Sequence, residues 1–305
     1  MELMTRIDIP ESEWKIGAEA RVLLLGSCFA DEVGQKMAIG GLKAMVNPFG
    51  TLYNPASIAA SLLRSISERE YGDDAVEWVR GEADGAWHSW MHHSRFSSAN
   101  KDELLARMNG TMHEVADFLR EADVLVVTLG TAIIYRLRES GMLVANCHKQ
   151  PDSLFARECM TAYDIADQWK MLLRLLQSVN PRLKVIFTVS PIRHKRDGYH
   201  ANQVSKGILL QAVDEIMKIG ETGSANRAED AAEAWRCEYF PAYEIMMDEL
   251  RDYRFYAADM IHPSEVAVEY IWQRFQDTYF NNKTKDAVAR AAKEWRRGQH
   301  RTIVK

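Results

Sequence analysis

With 305 residues, 47% of them hydrophobic and 27% charged, and only 17 glycines and 8 prolines, the chain has an ordinary globular composition and can bury a substantial core. That balance excludes disordered and fibrous classes. A formal net charge of −5, from 38 Lys and Arg against 43 Asp and Glu, gives no global attraction to nucleic acid or an anionic membrane.

No segment approaches the ~20 apolar residues of a membrane span. Met1 to Lys15 carries charges throughout and lacks an apolar run of export-signal length. The cysteines Cys28, Cys147, Cys159 and Cys237 have no CxxC or zinc-ribbon spacing. A cytoplasmic protein with reduced thiols is expected.

In chain order, RVLLLG at Arg21–Gly26 reads as a strand, 31–39 as a helix, 42–46 as a strand and 55–67 as a helix. Residues 76–100, rich in Trp and His, fall outside the alternation and read as an insertion. Then follow a helix at 101–120, a strand at 123–129, a second insertion at 141–156 and a helix at 162–178. After the break at Asn180-Pro181 come a strand at 184–190, a helix at 202–219, a strand at 237–240 and a helix at 264–280. Residues 221–233, polar and Ala-rich, read as a loop or frayed helix end. Residues 283–300 form a basic helix whose charges read as a solvated face rather than a nucleic-acid patch.

Short apolar runs alternating with helical stretches predict a mostly parallel sheet with helices on both faces, within one domain spanning 1–305. In such sheets ligands bind beyond the carboxyl ends of the strands, so the residues just after each strand are the candidates for function.

Ser27 lies where the first strand meets a helix, and free N–H groups and the helix dipole favour negative charge there. A serine at such a turn is also an ordinary helix cap. The segment is not GxSxG, so an α/β-hydrolase elbow is not indicated. Further on, Asp259-Met260-Ile261-His262-Pro263 spaces a carboxylate and an imidazole three residues apart, on one face of a helical turn, where the carboxylate can orient the ring for a nucleophile. Alone, such a pair is more often a surface ion pair.

Other blocks stand in order: Gly26-Ser27-Cys28-Phe29-Ala30, then Asn47-Pro48-Phe49-Gly50-Thr51-Leu52-Tyr53-Asn54-Pro55, then Leu129-Gly130-Thr131. Asn146-Cys147-His148-Lys149, Ser190-Pro191-Ile192-Arg193-His194 and Tyr239-Phe240-Pro241-Ala242-Tyr243-Glu244 follow, before Asp259 to Pro263. Through these motifs the chain resembles the SGNH (GDSL-like) hydrolases, and within them the GSCFA family, over nearly its whole length. The resemblance implies a flavodoxin-like three-layer α/β/α sandwich with a parallel sheet of about five strands. It implies a serine esterase or acyltransferase with Ser27 as nucleophile and Asp259 and His262 completing a triad.

The resemblance also implies an oxyanion hole made from the N–H groups of Ser27 and Gly50 and a third-block asparagine. This sequence departs there, reading Gly130-Thr131-Ala132-Ile133 where Gly-x-Asn-Asp is expected. Thr131, Asn54, His92 and His93 are the candidates to fill the gap. An unfilled gap leaves a non-catalytic carbohydrate- or ligand-binding protein as the competing reading.

The insertion run Trp87-His88-Ser89-Trp90-Met91-His92-His93-Ser94-Arg95-Phe96 offers Trp90, His92 and His93 as a wall over the substrate, or else as anchors of the insertion to the core. Without a matching carboxylate or HExxH spacing, His88, His92 and His93 are not read as a metal site. Cys28 and Cys147 as thiol nucleophiles are set aside in favour of Ser27. Arg193 and His194, after the fourth strand, are further candidates for substrate contact. No cofactor or nucleic-acid partner is expected; the partner is a small-molecule or carbohydrate acyl ester.

Overall fold

Residues 4–73, 76–78, 85–221 and 236–301 are described by the computed structural model of the chain. β1 (Arg21–Gly26), α1 (Cys28–Ile39), β2 (Lys43–Val46) and α2 (Pro55–Ser67) open the fold. Three short strands follow, β3 (Val76–Trp78), β4 (Trp87–Ser89) and β5 (Ser97–Ser98), then α3 (Lys101–Glu121). Next come β6 (Val124–Leu129), β7 (Ile133–Leu137), β8 (Leu143–Val144), β9 (Phe155–Cys159) and α4 (Ala162–Val179). The chain continues with β10 (Lys184–Val189), α5 (Tyr199–Glu221), β11 (Cys237–Tyr239) and the short α6 (Ala242–Glu244), and ends in α7 (Glu265–Tyr279) and α8 (Asn282–Arg301). The polar stretch read as a loop at 221–233 lies, beyond Glu221, outside the described residues.

Five strands form one parallel sheet in the order β11-β10-β6-β1-β2, the flavodoxin-like arrangement. Register places Leu23 beside Leu125, and Val185 on the far side of Leu125. Because side chains alternate along a strand, β1 sends Leu23 and Leu25 to one face and Val22 and Leu24 to the other. The first face is covered by α2, α3, α4 and α5, with Leu62, Met108, Trp169 and Val213 in its core. The second is covered by α1 and α7, with Phe29, Trp272 and Phe275 in its core, and Val288 of α8 joins it. Both faces being buried is why the central strands are continuous apolar runs rather than alternating ones.

The two insertions are not loops. The first forms a small antiparallel sheet, β3-β4-β5; the two ends of the second pair with β7 in another, β8-β7-β9. The helix after β1 begins at Cys28, directly after Ser27, three residues earlier than its apolar period suggests. Basic residues of 283–297 lie on α8, as expected of that stretch. Among the described residues no helix is long and apolar enough to cross a membrane.

Candidate active site

The sheet's carboxyl edge gathers the blocks singled out in the sequence. β1 ends in Gly26 at φ +139°, where an added Cβ would lie 2.1 Å from the Thr128 carbonyl oxygen. Only glycine fits there, and it lets the chain turn directly into α1. Ser27 caps that helix: its Oγ accepts from the Phe29 N–H at 3.3 Å, its own N–H donates to Thr128 O at 3.1 Å, and the residue is 0% exposed.

A polar brace surrounds this corner. Asn47, at φ +41°, accepts from the Gly26 N–H at 2.9 Å and donates through Nδ2 to Asp31 Oδ1 at 2.8 Å. Arg95 donates to the Asn47 carbonyl oxygen and, at 2.7 Å, to that of Pro48. Gly50, at φ +81°, packs so closely on His93 that a Cβ would meet the His93 Cβ at 2.1 Å. The Gly50 N–H, expected from the resemblance to face an oxyanion, donates to Asn47 O at 2.7 Å.

Asp259 and His262 do meet, though not on a helical turn. The carboxylate makes an Asx-type turn: Oδ1 accepts from the N–H of Ile261 at 2.9 Å and of His262 at 3.0 Å, while Oδ2 lies 2.6 Å from His262 Nδ1. Met260 sits in the left-handed region at φ +58°, which a helix would not contain. The N–H and side chain of His262, with the N–H of Ile261, hold the Asp259 carboxyl far below the usual carboxylate range. Donating Nδ1–H to the carboxylate fixes the imidazole tautomer and leaves Nε2 as the basic nitrogen. Among the described residues no hydrogen bond joins His262 to Ser27.

The fourth residue beyond β10 grips this turn. Arg193 donates its N–H to Ile261 O at 3.2 Å and a guanidinium N–H to Met260 O at 3.4 Å, and its guanidinium lies over the Tyr256 ring at 4.1 Å. Next to it, His194 donates its N–H to Asn202 Oδ1 at 2.9 Å and sets its ring edge-on to Tyr53. His194 Nε2 is buried without a hydrogen-bond partner. Burial, reinforced by Lys206 and opposed by Asp197, pulls this imidazole down to about 4, so it is neutral at pH 7.

Beside Tyr53 and His194 opens a cleft of about 320 Å³, lined also by Asn54, Thr131, Tyr135 and Asn146, among others; Ser27, Asp259 and His262 are not in its lining. Asn54 caps α2 through Oδ1, which accepts from Ser57 N at 2.8 Å; no hydrogen bond engages its Nδ2 among the described residues. The Thr131 hydroxyl, by contrast, is paired with Ser205 Oγ at 3.1 Å and accepts from Ile133 N at 3.1 Å.

Three residues absent from the reading of the sequence support the cleft from beneath. Asn202, Ser205 and Lys206 of α5 are buried. Besides the Asn202 bond, Ser205 Oγ accepts from Ala132 N at 2.7 Å, and Lys206 Nζ donates to Gly130 O at 2.7 Å and to Ser190 O at 2.6 Å. Burial alone lowers the Lys206 ammonium to about 7. The signal lay in the spacing: 202, 205 and 206 continue, one turn toward the N-terminus, the buried stripe of Leu209, Ala212, Val213 and Ile216.

The aromatic insertion is a foundation rather than a lid. His92 is wholly buried, with its ring against Phe49, Tyr71 and Phe96 and Nδ1 at 2.8 Å from Ser89 Oγ, so it cannot contact a substrate or donate to an oxyanion. Trp90 is buried too, packed on Phe155 and His148, and its carbonyl oxygen accepts from Ala145 N at 2.8 Å, tethering one wall of the cleft. His93 is half-buried beside Gly50, and its Nδ1 accepts from Arg95 N at 3.3 Å. Burial and Arg95 lower its pKa.

A doubly wound α/β protein with an oriented Asp–His pair and a buried serine at one sheet edge is the class that fold and geometry define. The GSCFA family model matches residues 21–275, and the chain belongs to the GSCFA family. No curated protein matches it. Among solved structures it is similar to a carbohydrate esterase family 2 enzyme with a carbohydrate-binding domain from Corynascus thermopiles (Myceliophthora fergusii), at 11% identity and a TM-score of 0.38, over 94% of this chain and 68% of that one. It is also similar to a carbohydrate esterase family 3 protein from Talaromyces cellulolyticus, at 12% identity and a TM-score of 0.33, over 84% of this chain and 94% of that one.

Proposed function

We propose that this chain is a serine-dependent ester hydrolase, an acyl or acetyl esterase acting on a carbohydrate or small acyl ester. The observation that carries this reading is the 2.6 Å Asp259–His262 pair at the same sheet edge as Ser27. Ser27 Oγ attacks the ester carbonyl, and its proton passes to His262 Nε2. The imidazolium, stabilised by Asp259, then protonates the leaving alcohol. Water, activated by the same imidazole, releases the acyl group; an acceptor alcohol in its place would make the protein an acyltransferase.

Ser27 must first leave its cap. Giving up an N-cap hydrogen bond costs about 1 kcal/mol, small beside the barrier reductions that enzymes achieve. For the oxyanion, the Asn54 amide, whose Nδ2 has no hydrogen-bond partner among the described residues, stands in for the missing third-block asparagine. The N–H groups of Ser27 and Gly50 join it by swinging from the carbonyl oxygens of Thr128 and Asn47. The cleft beside Asn54 and Tyr53 receives the substrate. All four cysteines are free, in keeping with a reducing cytoplasm.

A second reading, a non-catalytic ligand-binding protein, is favoured by the engagement of both backbone donors and by Ala132. A fluorophosphonate probe separates the two. Labelling of the wild type and of Cys28→Ala, but not of Ser27→Ala, is expected; a wild type that stays unlabelled overturns the enzyme reading.

A further inference from the structure

Lys206 is the anomaly of the site: an ammonium 1% exposed and, among the described residues, bonded only to two carbonyl oxygens with no carboxylate opposite it. An uncompensated buried charge is costly to keep, so its two contacts invite a reason. The neighbouring titratable groups are His194 and the Tyr243 ring, 5.7 Å away, and neither supplies a negative charge.

The two carbonyl groups belong to different arms of the site. Gly130 ends the β6 arm, where the N–H groups of Gly130 and Thr131 both donate to Tyr53 O, at 2.8 and 3.0 Å, and so seat Asn54. Ser190 ends the β10 arm, which runs on through Ile192 to Arg193 and its hold on Ile261 and Met260. One ammonium therefore spans the arm that seats Asn54 and the arm that holds His262.

We propose that Lys206 is a positioning residue that locks these two arms together and thereby sets the separation between the Asn54 amide and the Asp259–His262 turn. Its role in turnover rests on the serine-hydrolase reading; its role as a clamp does not. A carbonyl oxygen has two lone pairs, so a multivalent cationic donor can cross-link the carbonyl oxygens of Gly130 and Ser190 just past the last bond between the strand ends, Ser190 N–H to Leu129 O at 2.8 Å. A carboxylate at this place would draw the ammonium away from those carbonyl groups.

Lys206→Met keeps the stem and removes the donors, and Lys206→Ala leaves room for propylammonium. Ester turnover, fluorophosphonate labelling and amide hydrogen exchange at 130–132 and 192–194 are followed together. In Lys206→Met, kcat should fall about 10²-fold with KM nearly unchanged, the size of loss that a ~1 Å misplacement produces, and the named amides should exchange faster. Propylammonium, but not propanol, should restore turnover to Lys206→Ala. Wild-type kcat and wild-type exchange in Lys206→Met overturn the clamp. If the wild type itself neither turns over nor labels, the esterase reading falls separately, and exchange decides: faster exchange upholds the clamp and unchanged exchange overturns it.

Discussion

The serine half and the histidine half of the site are held in opposite ways. Ser27 is sealed, with its N–H, its Oγ, the Gly26 N–H and the Asn47 amide each engaged by a partner on the sheet, on α1 or on the loop beside them. Asp259 and His262 have side chains 45% and 46% exposed, and their turn is tied to the sheet chiefly through Arg193. The position of Ser27 follows from strand pairing, whereas that of His262 follows from one turn and one arginine. Beyond the release of the Ser27 cap, adjustment of the distance between them falls to the less tethered histidine half.

Asp259→Asn tests that division with the largest expected effect. The asparagine Oδ1 can still accept from the Ile261 and His262 N–H groups, so the turn survives, but the imidazole loses the carboxylate that fixes its tautomer. Loss of about 10⁴-fold in kcat with an unchanged melting temperature is expected. Activity within tenfold of wild type would mean that Asp259 only shapes the turn.

Asn54→Asp sits next in size. It keeps the oxygen that caps α2 and removes the donor that faces the cleft, so turnover should drop by about 10²- to 10³-fold without loss of stability. Unchanged kcat in Asn54→Asp would sink the assignment of this amide to the oxyanion and return the burden to the backbone of the serine half.

The same contrast governs what could be read from the sequence. The central strands were legible because both of their faces are buried, which gives apolar runs that stop at Gly26-Ser27, Gly130-Thr131 and Ser190-Pro191. β4, β7 and β9 were not, since short strands of small sheets carry mixed residues and little period; Ile133–Leu137 simply follows the third block. The Asp259–His262 contact could be anticipated and its geometry could not, because an i, i+3 offset suits a helical turn and an Asx turn alike. Whether Trp90 and His92 form a wall or anchor the insertion could not be read, because aromatic composition does not say which way a ring points. Lys206 escaped notice because a lysine in a helix ordinarily faces water.

His92 offers the smallest effect and the sharpest probe of the serine half, since its ring packs on Phe49 beneath the loop that carries Asn47 and Gly50. Burial first, and then the charges of Arg64, His148, Arg107 and Arg95, lower it to about 3 from an ordinary value of 6.5. Between those values the unfolded chain binds a proton that the folded protein refuses, so stability falls as pH falls through the window. One such histidine steepens the fall by about 1.4 kcal/mol per pH unit. His194, lowered to about 4, adds a slope of the same sign from the histidine half. His92→Phe keeps an aromatic ring in the box and removes the proton site, so urea unfolding between pH 6.5 and 4 should lose one proton of slope while the His194 contribution remains. An unaltered slope in His92→Phe would show that acid does not act on the protein through the foundation of the serine half.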